Sequence, residues 1–538
     1  MTGNGTLFLF SLLFFNNFIF LTLYRTHIKQ DQDLPANTMK SEIVVGIDSS
    51  TTATKAIAWD INGKYIAGGS SPIRLFSPQS NYYEQNPDDW WSSLVESLQE
   101  LTHQVDKGRI TAVAISNQRE TFVGLDKDGK PVRPAITWLD ERCKSQVDKF
   151  AKIIGEDHIH QITGKPKDYA PVVYRLAWMK DNERDLFRKV ANFCDVHTYL
   201  VNKLTGHYKT SWASADPMGI FDLENKTWSM EILNQLNITP RQLPDVFPPG
   251  TVLGHVTREA AETTGLKSGT KVVAGGGDGQ AAGVGVNALT PGRAYLNLGT
   301  AVVSGTFTKN YITDRSFRTM ACCADEGYYC ETSLRSGTFL IDWFIQQMLK
   351  IDTNHKPEIY RQLEEEAQQV EPGSEGLMIL PYWNAVMNPY WDPDARGCII
   401  GLTSGHNRGH LYRAILEGIA MEQSLATKAV ERAIGQRTDE FALIGGGSKS
   451  NLWRQIIADT SGKKVLTMSS DEASSLGAGI SAAVAAGWFH SFVEAAQNMV
   501  HVKGITEPDS QNAERYNNQL FKYRKIYPAI REIYKPGI

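Results

Sequence analysis

Four short segments place acids, hydroxyls and glycines where phosphate chemistry could use them. Asp48-Ser-Ser-Thr51-Thr52 joins two runs of strand-like patterning. Small residues there would let backbone N–H groups approach anionic oxygens, and Thr51 and Thr52 would add hydroxyl donors. Asp48, at a strand end, could hold a hydrated magnesium ion. By itself the loop reads equally well as a surface hairpin capped by an acid. Leu298-Gly299-Thr300-Ala is a second cradle of the same kind. Gly275-Gly-Gly-Asp278-Gly279-Gln280 follows a strand and opens a helix. Its glycines would admit a ligand close to the backbone, and its carboxylate could accept a hydroxyl proton. Taken alone, Asp278 is a routine helix N-cap. Gly445-Gly446-Gly447-Ser-Lys-Ser repeats the strand–glycine–helix form and could receive a nucleotide base or ribose.

These parts are what a phosphoryl transferase needs: donors that wrap phosphates, a magnesium position and a base for the attacking hydroxyl. The chain has no G-x-x-x-x-G-K-[ST] sequence, so a P-loop enzyme is excluded. It also lacks a clear G-x-G-x-x-G at a strand–helix junction, which leaves a dinucleotide-binding oxidoreductase unsupported.

The elements that must position these residues alternate along the chain. Ile43 to Asp48 and Lys55 to Asp60 read as strands, and Asn62-Gly63 turns into a third at Tyr65 to Ala67. Tyr295 to Leu298, Gly299-Thr300 and Val302-Val303 form a comparable unit some 250 residues later, which suggests a duplicated domain. Further strands are expected at Ile110 to Ser116, Thr121 to Leu125, Lys271 to Ala274 and Phe441 to Ile444. Helical spacing is clearest over Leu411 to Ala433. Mixed strands and helices over this length argue for α/β layers, with a boundary at Ala288 to Gly292 where Pro-Gly punctuates the chain.

In this order the segments resemble the FGGY carbohydrate kinase family, which includes glycerol kinase and xylulokinase. Arg396-Gly-Cys-Ile-Ile-Gly-Leu402 followed by His410-Leu-Tyr-Arg-Ala-Ile-Leu-Glu417 fits that family's C-terminal signature, and Asn388-Pro-Tyr-Trp-Asp392 precedes it. The resemblance implies two actin-like, ribonuclease H-like domains around a cleft. Residues 41–288 would bind the substrate and 289–538 would bind ATP. It further implies that Asp48 is the magnesium-associated aspartate and Asp278 the catalytic base. Thr51 with Thr52, and Gly299 with Thr300, would be the phosphate hairpins, and Gly446 and Gly447 the adenine-side loop.

Substrate signals divide. Asn117-Gln118-Arg119-Glu120-Thr121 is similar to glycerol kinase, whose Arg-Glu pair binds polyol hydroxyls by charge-assisted hydrogen bonds. Trp138 sits where that enzyme has an apolar wall, and Tyr169 lies one residue from its substrate tyrosine. Gly279, however, follows the aspartate directly, where glycerol kinase has an amide, which opens space. Gln280 is left as the amide on that side, Val303 replaces an aromatic wall, and Arg175 replaces a signature lysine. Val273 to Asp278 and Pro291 to Thr300 look more like xylulokinase, although Arg119-Glu120 replaces its methionine–histidine pair. A small polyol or ketose is the expected acceptor. A non-catalytic sugar sensor on the same fold would be expected to have lost the base or a hairpin, and Asp48, Thr51, Asp278 and Thr300 are all present.

Bulk properties set the outer limits. At 538 residues with 42% hydrophobic and 21% charged residues, the chain is expected to fold as two or more soluble domains. A formal charge of -4 offers no case for nucleic acid. The six cysteines lack any Cys-x-x-Cys pair, and so suit a reducing cytosol rather than a disulfide or zinc framework. Residues 1–40 are the exception. Leu7 to Tyr24 is apolar but interrupted by Asn16 and Asn17, and has no basic flank before it. Met39 is therefore expected to be the functional start, with the leader an extension; a membrane anchor and self-association stay open.

Overall fold

The computed structural model describes residues 41–324, 326–353 and 355–534, so the leader and its apolar run lie outside the described residues. Two main sheets organise these residues, and only their strands are numbered here. The first holds β1 (Ile43–Ser49), β2 (Ala53–Trp59), β3 (Tyr65–Pro72), β4 (Ile110–Asn117), β5 (Val252–His255) and β6 (Lys271–Gly277), in the order β5-β6-β4-β1-β2-β3. The second holds β7 (Arg293–Leu298), β8 (Val302–Thr308), β9 (Arg318–Ala321), β10 (Tyr328–Leu334), β11 (Glu440–Ile444), β12 (Lys464–Met468) and β13 (Val502–Thr506), in the order β9-β10-β8-β7-β11-β12-β13.

The two sheets share one plan. In the first, β1 pairs with β2 antiparallel and with β4 parallel, and β4 pairs with β6 parallel. In the second, β7 pairs with β8 antiparallel and with β11 parallel, and β11 pairs with β12 parallel. Antiparallel edge strands complete both. The two similar hairpins seen in the sequence thus sit at equivalent places in two like sheets. β6 runs three residues beyond its expected end, because glycines lower strand propensity without preventing pairing.

Strand alternation gives each sheet two covered faces. Ile43, Val45 and Ile47 of β1 pack with Leu94, Leu98 and Leu101 of α1 (Pro87–Thr102), while Val44 faces the opposite core. That second core contains α3 (Asp278–Gly285) and α6 (Ala473–Ala486); α2 (Val172–Asn182), α4 (Arg408–Ile434) and α5 (Asn451–Ser461) complete the numbered helices. Small residues let α3 and α6 cross nearly in backbone contact. A Cβ on Gly285 would stand 1.9 Å from the Ala473 carbonyl oxygen, and one on Gly477 would stand 1.9 Å from that of Ala281. Gly→Ala in an open helix gains up to about 1 kcal/mol. At Gly285 the clash outweighs this, so Gly285→Ala should destabilise by about 1–3 kcal/mol in a denaturant titration. An unchanged midpoint would mean that the helices part freely.

All six cysteines are free thiols. No helix of the described residues is long and apolar enough to cross a membrane.

Candidate active site

Parallel pairing brings the candidate residues to one edge. Asp48 on β1 is level with Ser116 on β4, which is level with Gly276 on β6. Arg119 and Asp278 therefore emerge side by side just past the strand ends, where ligands bind in open α/β sheets. Asp278 is the first residue of α3 and Gly277 is the cap, so the N-cap alternative does not hold. Its Oδ1 accepts from its own neighbour's amide, Gly279 N, at 2.7 Å and lies 3.1 Å from Arg119 Nε. The side chain remains 41% exposed, with Oδ2 lacking a protein partner among the described residues. Partial desolvation at the strand edge pushes the Asp278 carboxyl up, and Arg119 opposes this.

Asp48 accepts from Ser116 Oγ at 3.0 Å. Burial, and then the charge of Asp278, push its carboxyl up to about 7. Asp48, whose proton affinity the neighbouring Asp278 raises, stands at an open strand edge as an oxygen donor of the kind a hydrated divalent cation takes. No cluster of three or more metal-ligating side chains exists among the described residues.

On the first hairpin, Thr52 is exposed, and Thr51 Oγ1 accepts from Trp138 Nε1 at 2.8 Å. Trp138, 39% exposed, is thereby tied to the first hairpin. On the second hairpin Thr300 is exposed and Gly299 half-buried. Their carbonyls accept from the backbone of Gly337 and Thr338 at 2.8 Å. β7 and β11 run in parallel register up to Asn297 and Ile444, so the Gly445–Gly447 loop lies beside this hairpin. Its glycines differ in purpose. A Cβ on Gly446 would meet nothing within 4 Å, whereas one on Gly447 would stand 2.4 Å from the Trp453 ring and 2.8 Å from Leu298. Gly446 is open to a ligand, and Gly447 exists for packing.

Several expectations change. Gln280 does not face the acceptor: it is fully buried, and its Nε2 donates to the Ala213 carbonyl at 2.8 Å and to Asp216 at 3.3 Å. Two residues along a helix turn a side chain by about 200°, so Asp278 and Gln280 point to opposite sides. The glycines before Asp278 admit protein rather than ligand. A Cβ on Gly275 would strike the Ile115 carbonyl oxygen at 2.0 Å, and one on Gly277 would strike Arg119 Cγ at 2.5 Å. The space at Gly279 is likewise filled, with Arg119 Nη2 3.1 Å from where its Cβ would stand.

Arg119 and Glu120 engage different protein partners. Glu120 adopts φ 52°, which sends the two side chains apart. Arg119 bonds Glu331 Oε2 through Nη1 at 2.8 Å, while Glu120, buried, accepts from Arg318 at 2.6 Å. Tyr169 is half-buried, with its hydroxyl bonded by Arg335, whose guanidinium stands 4.6 Å from the ring centroid. Arg335 also binds Asp168 through Nη2, at 2.9 and 3.2 Å.

Glu331, Arg318, Arg335 and Asp168 were not among the sequence candidates, and no local pattern marks them. Arg175 was visible only as a departure from a signature. Fully buried, it donates to the carbonyls of Glu120, Ala170, Trp138 and Asp140, and so ties the loops that carry Glu120, Trp138 and Ala170 to α2.

The sequence matches the N-terminal domain of the FGGY family of carbohydrate kinases over residues 43–285 and the C-terminal domain over residues 294–486. The chain belongs to this family. It is accordingly a carbohydrate kinase. Xylulose kinase of Bacillus subtilis (strain 168) is 30% identical over 497 residues, covering 91% of this chain and 97% of that one. Gluconokinase of the same strain is 27% identical over 483 residues, covering 89% and 94%. The crystal structure of gluconate kinase from Lactobacillus acidophilus superposes with a TM-score of 0.86 at 28% identity, covering 92% of this chain and 99% of that one. The FGGY kinase is thus built from two actin-like α/β domains.

Proposed function

We propose that this kinase transfers the γ-phosphoryl group of ATP to a hydroxyl of a small uncharged polyol or ketose, with Asp278 as general base. The observation that carries this reading is the Asp278 carboxylate, anchored through Oδ1 and open through Oδ2 at the end of β6. Oδ2 takes the proton of the acceptor hydroxyl as its oxygen bonds to the γ-phosphorus and the bond to the ADP oxygen breaks. Thr51, Thr52 and the Gly299-Thr300 turn contact the phosphates, and Gly446 leaves room for the nucleotide. Asp48 would hold Mg2+, which when bound neutralises phosphate charge. Arg119 and Trp138 orient the acceptor.

Charge matching favours an uncharged acceptor. Xylulose is neutral and gluconate carries a carboxylate, so the relatives' names pose that choice. Arg119 is matched by Asp278 and Glu331, Arg318 by Glu331 and Glu120, and Arg335 by Asp168. A carboxylate binding here would have to compete with the protein's own acids for each guanidinium. Coupled ADP-release assays with xylulose, ribulose, xylitol, erythritol, glycerol and gluconate should give a kcat/KM at least about 100-fold higher for a neutral acceptor than for gluconate. Preference for gluconate would refute the neutral assignment, and no turnover with any of the neutral acceptors would overturn the proposed acceptor class.

A further inference from the structure

Glu331 lies on β10 of the second sheet, yet its carboxylate is spent on the acceptor-side loop of the first. It is fully buried. Oε2 accepts from Arg119 Nη1 at 2.8 Å and from the Tyr295 hydroxyl at 2.7 Å, and Oε1 accepts from Arg318 Nε at 2.7 Å. Arg318, on β9, passes its other edge to Glu120 at 2.6 Å. Charges therefore alternate without a break along Asp278, Arg119, Glu331, Arg318 and Glu120, and the row crosses twice between the sheets. Burial alone would raise the Glu331 carboxyl, but Arg119 and Arg318 hold it down to about 2, so it stays ionised.

We infer that Glu331, supported by Arg318, is a positioning residue that holds Arg119 in register with Asp278 from the opposite sheet. A long arginine side chain has several staggered choices at each bond, and one correct fork geometry must be fixed by its partners. Arg119 has two charged partners, and only Asp278 belongs to its own sheet. Without Glu331, Nη1 would lose its acceptor and the guanidinium could swing to satisfy itself on Asp278 alone. That would take up the carboxylate edge needed for the acceptor. The absence of a side chain at Gly279 serves the same arrangement, since a Cβ there would lie 3.3 Å from Glu331 Oε2 as well as against Arg119. Glu331 is buried among Arg119, Tyr295 and Arg318, so its influence on the acceptor would pass through Arg119.

The inference rests on the proposed role of Asp278, and kinetics separate the two. With the best acceptor of the neutral panel, Glu331→Gln should lower kcat/KM for that acceptor about 30-fold while the KM for ATP changes less than about twofold. Combined with Arg119→Ala, it should add less than about a further twofold, because both changes act through one guanidinium. Losses that multiply, or a parallel rise in the ATP KM, would show a merely structural role and overturn the inference. Wild-type kinetics in Glu331→Gln would do the same. Should that variant not fold, Arg318→Lys keeps the charge but loses the two-pronged contact, and must show the same split with a smaller loss; kinetics unchanged there would equally overturn it. Failure of the proposed function looks different, as the unmodified kinase would then turn over no neutral acceptor.

Discussion

Asp278→Asn is expected to lower kcat by about 1000-fold or more while leaving the dissociation constant for ATP within about twofold. The amide is nearly isosteric, so its Oδ1 can keep the contacts to Gly279 N and Arg119. It cannot accept the proton that the acceptor hydroxyl must lose, and a positioned general base contributes about 100- to 10000-fold. The proposed ATP contacts lie at the two hairpins and the Gly446 loop, which the substitution leaves alone. Single-turnover phosphoryl transfer measured beside calorimetric ATP titration would separate the two effects. Turnover near that of the unmodified protein would end the assignment of Asp278 as base.

Arg119→Ala is the second large change. The guanidinium sits between Asp278 and Glu331, 9% exposed, and its loss leaves each acid short of a cation. Breaking one side of a buried ionic network costs about 3–5 kcal/mol, so a fall in melting temperature is expected. The acceptor KM should rise about 10- to 100-fold, since a charge-assisted contact to a hydroxyl is worth about 1.5–3 kcal/mol. The ATP KM should move far less. Equal rises in both would place Arg119 outside the acceptor subsite. Arg119→Lys should recover little, because one ammonium cannot reproduce the forked contact to two acids.

The sequence made legible what is local. Hairpin tips announce themselves by small hydroxyl residues between alternating strands, and a strand–glycine–acid–helix run marks Asp278. The repeated hairpin hinted at the duplication that the strand orders of the two sheets display. Contacts made across the molecule left no such trace. Glu331 sits in a strand that reads as Tyr-Tyr-Cys-Glu-Thr-Ser-Leu, and nothing in that run says its acid meets an arginine 212 residues away. Glycine was misread for a related reason. An absent side chain signals close approach without saying what approaches, and for Gly275 and Gly277 the visitor is the protein itself. Gln280 shows the limit of adjacency: two residues from the proposed base along the chain, it is turned into the core by helix geometry.

Central to this account is that the acceptor hydroxyl and the γ-phosphate meet at Asp278. A crystal structure of the complex with Mg2+, a non-hydrolysable ATP analogue and the preferred neutral acceptor tests it most directly. The reacting hydroxyl should lie about 2.6–3.2 Å from Asp278 Oδ2 and point at the γ-phosphorus, with the phosphates held between the Thr51 and Thr300 turns. An acceptor bound away from Asp278, or a triphosphate that bypasses both turns, would contradict it.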